Sequence, residues 1–331
     1  MTTPTVPAFA AGAHWLLTSA AAKADLARRL RDALQAAGLR LFATDISPLS
    51  AAFSFADNHF LLPSLDHPRF LGALLAACEP HGIRVLLPTR DADLRYFAMN
   101  RPALETAGLW PVVSDQSAIE TCLDKIRFHE HCIAHQLPVL PRIESPSDAD
   151  FPCFVRGRFG SAGAGARPVP SLDILIALHG PPPWPDLLLQ PLGLDKEYTI
   201  DALFDLDGQP LQWIARERLR VKAGESTVSR TVHLPAIDAL MPALAATLRL
   251  AGPVTIQAFH SESEGPRLIE INPRFGGASA LGIEAGLDTP ARLVALAQGD
   301  LESFRRPRPL RYGLTMLRYS RDIFLEPPPS S

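Results

Sequence analysis

The first 114 residues alternate short apolar runs with amphipathic stretches, and this restricts the chain to few folds. His14 to Leu17 reads as a strand. Ala24 to Ala37 carries Leu26, Leu30 and Leu34 at helical spacing, and Gly38 ends it. Leu39 to Ala43 makes the next strand, stopping at Asp45. Pro68 to Cys78 reads as a helix with Phe70, Leu71, Leu74, Leu75 and Cys78 inward, and Ile83 to Leu87 as a buried strand ending at Pro88. Strand and helix in alternation imply a parallel sheet with helices on its faces. A dinucleotide site in such a fold needs a G-x-G-x-x-G turn after the first strand. The chain has Thr18-Ser19-Ala20-Ala21-Ala22 there, so pyrophosphate binding at that turn has no support.

Farther along, the pattern changes to that of an antiparallel hairpin. Thr255 to Ala258 and Leu268 to Arg274 flank a turn at Ser261 to Pro266. Alternation puts Leu268, Glu270 and Asn272 on one face and Ile269 and Ile271 on the other. With the turn symmetric about its centre between Ser263 and Glu264, Gln257 falls opposite Glu270. Gln257, Glu270 and Asn272 then form a candidate set of oxygen ligands, of the kind that magnesium or manganese accepts beside nucleotide phosphates. Arg274, just past the strand, is placed to neutralise a transferring phosphoryl group. The plainer reading is a hairpin with one solvated polar face.

The 331 residues suffice for two or three domains. A formal charge of -3 argues against a dedicated nucleic-acid binder. No apolar run is long enough to cross a membrane, and the first residues lack a secretory leader's charged start, so a cytoplasmic protein is expected. Cys78, Cys122, Cys132 and Cys153 form no CxxC pair and read as buried thiols. Lysine occurs only at 23, 125, 196 and 222, so a retained lysine suggests a need for a compact ammonium that arginine cannot meet. His129, His131, Cys132 and His135 share one predicted helix. That helix must bury Ile126, Ile133 and Leu137, so the histidines read as solvated or core-edge residues rather than zinc ligands.

Four features follow one another in order. Asp124-Lys125 begins a helix, and Phe151 to Arg156 leads into Gly160-Ser161-Ala162-Gly163-Ala164-Gly165. Gln190 then precedes Lys196-Glu197-Tyr198, and the hairpin comes last. This ordered set resembles the ATP-grasp superfamily over about Trp15 to Asp300. The branch it resembles most holds the carbamoyl phosphate synthetase large subunit and single-unit carboxylate-amine ligases. The resemblance implies an α/β fold: a Rossmann-like parallel-sheet domain (1–116), a small lobe with a lead-in helix (117–190), a C-terminal lobe with the metal hairpin (191–304), and a tail (305–331) with a strand at Tyr312 to Leu317. The duplicated synthetase unit and the glutaminase domain are missing, so carbamoyl phosphate synthesis itself is not expected.

Roles follow from the same resemblance. ATP and Mg2+ (or Mn2+) are the implied cofactors. Lys125 and Arg156 contact phosphate or adenine, while Gly160, Ser161, Gly163 and Gly165 belong to a loop that closes over the phosphates. Gln190, Pro191 and Leu192 form the adenine hinge; family members often have glutamate at the place of Pro191, so backbone contacts must suffice. Glu197 meets the ribose hydroxyls. Arg274 and Lys222 hold the transferring group, Lys222 standing where the synthetase has histidine. Arg216, Arg218, Asp91, Gly276 and Gly277 are candidate substrate contacts. Arg216 and Arg218 share a strand face, and a solvated pair is the safer reading. Asp91 and Asp93, beyond the strand at Ile83 to Leu87, can greet an ammonium group or cap the next helix. Gly276 and Gly277 expose backbone N–H donors to an anion. The implied reaction activates a small carboxylate or amino acid as an acyl phosphate and joins it to an amine, releasing ADP and phosphate. A small-molecule kinase on the same fold and a nucleotide-sensing protein without turnover are the alternatives. The expected partners are a small-molecule carboxylate and an amine, with no nucleic acid and no membrane; a homodimer is compatible.

Overall fold

The computed structural model describes residues 12–21, 23–160, 165–192, 196–222 and 224–325. Its first sheet is parallel, with strands β1 (His14–Thr18), β2 (Leu41–Asp45), β3 (Asn58–Leu61), β4 (Ile83–Pro88) and β5 (Trp110–Pro111) in the order β3-β2-β1-β4-β5. Both faces are covered, as the unbroken apolar runs require. Trp15 and Leu17 pack on Leu30 and Leu34 of the helix Ala24–Ala36. Leu16 points the other way, toward Phe70, Leu74 and Cys78 of the helix Phe70–Cys78. The core on the Trp15 side continues into Leu203, Leu293 and Phe304, so the N-terminal and C-terminal parts share one apolar interior.

The second sheet is small and antiparallel: β6 (Cys153–Gly157), β7 (Arg167–Val169) and β8 (Leu187–Pro191), ordered β7-β6-β8 around Cys153, Val155, Val169, Leu175 and Leu189. The third holds β9 (Lys196–Phe204), β10 (Pro210–Lys222), β11 (Glu225–Val232), β12 (Gly252–Ser261), β13 (Gly265–Asn272) and β14 (Thr315–Leu317), ordered β13-β12-β9-β10-β11-β14. Asp205 closes the turn between β9 and β10 by accepting from the N–H groups of Asp207 and Gln209, and Gly208 supplies the left-handed backbone there at φ 87°. β14 pairs with β11, which ties the tail into the sheet. Behind the sheet lie the helix Pro235–Ala245 and the helix Lys125–Ala134. The latter buries Phe128, His129 and Cys132 but leaves Ile133 61% exposed, correcting the expected stripe. Among the described residues no three His, Cys, Asp or Glu side chains gather as a metal site. None of the described helices is long and apolar enough to cross a membrane.

The β12–β13 hairpin brings Gln257 opposite Glu270, although not by the symmetry expected of its turn. Ser261 pairs with Gly265, so the turn is centred on Ser263, and that register alone would set Gln257 against Ile269. A bulge between Ala258 and Gln257 shifts the pairing by one residue. It also breaks the alternation. Leu268 and Ile271 are both buried in the core, while Ile269 lines the cavity with Glu270 and Asn272. The expected grouping of Leu268 with the polar residues is thereby overturned.

Candidate functional site

The three sheets surround a cavity of about 1210 Å³. The hairpin supplies its polar floor. With its amide oriented as its neighbours require, Gln257 donates to Glu270 Oε1 (2.7 Å) and accepts from Arg218 Nη1 (2.6 Å). Asn272 Nδ2 also donates to Glu270 Oε1 (3.1 Å). Arg156 Nη1 lies 3.4 Å from Glu270 Oε2, and its Nη2 donates to Gln190 Oε1 (2.7 Å) and to the Ile269 carbonyl (3.3 Å). Gln190 is in turn fixed by donating to the Leu140 carbonyl (3.1 Å). Each side chain's direction is thus set by the next.

These residues suit a hard divalent cation in donor type. One carboxylate and two amides, the amides within hydrogen-bond reach of one carboxylate oxygen, can present oxygen ligands once each amide turns about its last torsion, which exchanges nitrogen for oxygen without changing shape.

Arg274 bridges the two parts of the chain. Its Nε donates to Asp91 Oδ1 (2.6 Å), its Nη2 to Asn272 Oδ1 (3.2 Å) and its Nη1 to the Phe275 carbonyl (3.3 Å). Asp91 therefore neither caps its helix nor stands free for an ammonium group. The N-cap of Asp91–Met99 is Arg90, without a side-chain bond, and Asp93 is buried, accepting from Thr18 Oγ1 (2.7 Å) and Ser19 Oγ (2.9 Å). Burial pushes the Asp93 carboxyl above the ordinary range, against those hydroxyl bonds.

Arg216 and Arg218 are not a solvated pair. Arg216 is buried and donates through Nε to Asp201 Oδ2 (2.8 Å); Arg218 Nε lies 3.3 Å from Glu197 Oε2, and its Nη2 donates to the Gly224 carbonyl (2.8 Å). Alternation along β10 puts both side chains on the face of the sheet that lines the cavity. Burial pushes Glu197 above the usual carboxylate range, with Arg218 opposing and Glu270 adding to it. Asp201 also accepts from Ser279 Oγ (3.1 Å), and Ser279 Oγ accepts from the Gly276 N–H (2.7 Å). Gly276 is therefore not a free donor. A side chain there would meet Thr255 Oγ1 at 2.9 Å, so close approach explains this glycine. Gly277 makes no N–H bond among the described residues, while its carbonyl accepts from Arg318.

Lys125, buried at the start of its helix, donates through Nζ to the Gly160 carbonyl (2.6 Å) and holds the beginning of the glycine-rich loop. Burial draws its ammonium below the ordinary lysine range, with Glu270 opposing. Beside it Asp124 caps the helix through Ile126 N and Arg127 N and accepts from Arg158 Nη2 (2.7 Å). Gly160, Gln190, Pro191, Leu192 and Glu197 line the cavity, but Gly165 does not; Ser161 and Gly163 lie outside the described residues. Lys222 is exposed on the β10–β11 hairpin and does not line the cavity. The lysine that does is Lys23, from the N-terminal domain. The chain's scarcity of lysine was the signal that could have singled it out.

A parallel-sheet domain, a small antiparallel lobe and a larger antiparallel lobe thus clasp one polar cavity. The chain has an ATP-grasp fold. Two family models match separate parts of the chain: "PylC-like, N-terminal domain" over residues 15–113 and "ATP-grasp in the biosynthetic pathway with Ter operon" over residues 184–319. Solved structures agree. Pyruvate carboxylase of Rhizobium etli superposes with TM-score 0.70 at 16% identity, covering 92% of this chain and 30% of its own. The chain thus spans less than a third of that protein. The N5-carboxyaminoimidazole synthetase of Staphylococcus aureus, complexed with ADP, gives TM-score 0.70 at 15% identity, covering 93% and 81%. The biotin carboxylase domain of the Hydrogenobacter thermophilus 2-oxoglutarate carboxylase, with MgADP and bicarbonate, gives 0.65 at 18%, covering 90% and 71%. No curated protein matches the sequence.

Proposed function

We propose that this chain is an ATP-dependent ligase that activates a small carboxylate or amino acid as an acyl phosphate and joins it to an amine, releasing ADP and phosphate. The observation that carries this reading is the convergence of Gln257, Glu270 and Asn272 on one cavity wall, with Arg274 bonded to Asn272. Structural likeness to proteins solved with ADP or MgADP supports ATP as the nucleotide.

The reaction asks an anionic carboxylate to approach a polyanionic phosphate, so its central demand is charge neutralisation. A bound Mg2+ or Mn2+, held by Glu270 with the amide oxygens of Gln257 and Asn272, would supply part of it. Arg156, braced by Gln190, presents a guanidinium beside Glu270. Lys125 holds the Gly160 carbonyl and so fixes the approach of the loop to phosphate. Pro191 and Leu192 offer backbone groups to adenine, and Glu197 accepts the ribose hydroxyls. Arg274 stabilises charge on the transferring phosphoryl group, and the Gly277 N–H adds a donor on the same wall. A carboxylate oxygen attacks the terminal phosphorus and ADP departs. The amine then attacks the acyl carbon, and phosphate leaves with the oxygen that it received from the acid.

A grid of acids crossed with amines, read by ADP release, tests this reading. One pairing should give product in which ADP formed equals amine consumed. ADP formation that ignores the amine, with a stable phosphorylated product, would replace the ligase by a kinase.

A further inference from the structure

The cavity wall contributed by the N-terminal domain carries more positive charge than its own carboxylates use. Lys23, just before the helix Ala24–Ala36, and Arg90, just before the helix Asp91–Met99, both line the cavity. The carboxylates around them are engaged. Asp45 accepts from the N–H groups of Ala21 (2.9 Å) and Ile46 (2.8 Å), and Asp91 is held by Arg274 (2.6 Å). Glu225, which also lines the cavity, is paired with Arg318. Lys23 and Arg90 form no ion pair and no side-chain hydrogen bond among the described residues, although Arg90 acts at longer range on the buried Asp93.

Lys23 is the sharper of the two. It is half-buried, and burial and then Arg274 hold its ammonium below the ordinary lysine range, with Glu225 and Asp91 opposing. A partly desolvated charge without a partner costs free energy until an anion joins it. It is also one of only four lysines in an arginine-rich chain, where a compact ammonium has been kept.

The reacting carboxylate does not fill this role. On the ligase reading, on which this inference rests, that group meets phosphate beside Arg274 and Gly277, and its charge is consumed as the new P–O bond forms. An anion held by Lys23 and Arg90 keeps its charge throughout. We infer that the acid substrate carries a second anionic group, a carboxylate or a phosphate, which Lys23 and Arg90 bind while the first carboxylate is activated beside Arg274. Such a contact binds ground and transition states alike, so it governs KM and substrate choice rather than kcat.

Matched pairs test this: glutarate against valerate, L-glutamate against L-norvaline, and O-phospho-L-serine against L-serine. Each is measured by ADP release with an amine present and by calorimetric binding in the presence of MgADP. At least one pair should favour the dianion about tenfold or more, the magnitude of one charge-assisted bond. The pair that responds distinguishes carboxylate from phosphate. Lys23→Met and Arg90→Met should each reduce that preference to under about threefold through KM, and Lys23→Arg should restore most of it. Lys23→Gln serves as a second variant if melting shows that Lys23→Met does not fold. No preference in any pair, or one that survives both substitutions, overturns the inference. If no acid releases ADP, the ligase reading fails, and the calorimetric arm still decides the subsite.

Discussion

Replacing Arg274 by alanine should have three consequences that can be measured apart. The first is loss of the donor aimed at developing phosphoryl charge. One such donor contributes about 2.7–4 kcal/mol, so kcat should fall roughly 100- to 1,000-fold. The second is loss of the partner of Asp91, whose side chain is only 25% exposed and lies 2.6 Å from Nε. Leaving that carboxylate unpaired should cost about 1–3 kcal/mol of stability, toward the lower end because water reaches it. The third is loss of the bond to Asn272 Oδ1, which lets the amide turn. Rate and stability can therefore be dissociated. Arg274→Ala should lower both, whereas adding Asp91→Ala should recover most of the melting temperature and none of the rate. Steady-state ADP release at saturating ATP and thermal denaturation of the same samples make the comparison. A single variant with kcat within about threefold of the parent, or a double variant that regains activity, would refute the role given to Arg274.

Three further outcomes are expected. Glu270→Ala should leave circular dichroism unchanged and abolish turnover, since one carboxylate is asked to serve both the metal and the phosphate; measurable activity in the folded variant would remove the metal assignment. Lys125→Ala should raise KM for ATP by roughly tenfold with kcat within about threefold, because its contact exists before and during the reaction; an unchanged KM counts against it. Asp124→Ala should cost about 2–3 kcal/mol, combining a lost N-cap with lost bonds to Arg158. Burial alone would raise the Asp124 pKa, but Arg158 and two backbone N–H groups overcome it and hold the carboxyl below its usual range. Its stabilisation is thus present above the unfolded carboxylate pKa and lost as pH falls through the folded one. The gap between parent and variant in urea midpoint should narrow below about pH 4, and a gap that widens there would contradict this.

The sequence made the architecture readable where periodicity is local. Leu30 and Leu34 on the first helix, and Phe70, Leu74 and Cys78 on the second, lie on the stripes that their spacing implies. The hairpin was readable only in part. Gln257 does face Glu270, but through a bulge, which a count of residues cannot register, and the same bulge sends Leu268 into the core. Arg216 and Arg218 look like surface charges because nothing adjacent in sequence reveals Asp201 or Glu197 across the sheet. Asp91 likewise meets Arg274 across 183 residues of chain. Lys23 was visible as a rare lysine, yet its place on the cavity depends on how the N-terminal domain packs against the C-terminal lobe through Leu203, Leu293 and Phe304. Long-range packing decides such positions.

The most direct test of the acyl phosphate follows the acid's own oxygen. With the accepted acid labelled with 18O in its carboxylate, the ligase account predicts that one 18O appears in free phosphate for each product formed, together with unlabelled ADP. Phosphate without label would contradict that account, and label in AMP would exclude it along with the kinase.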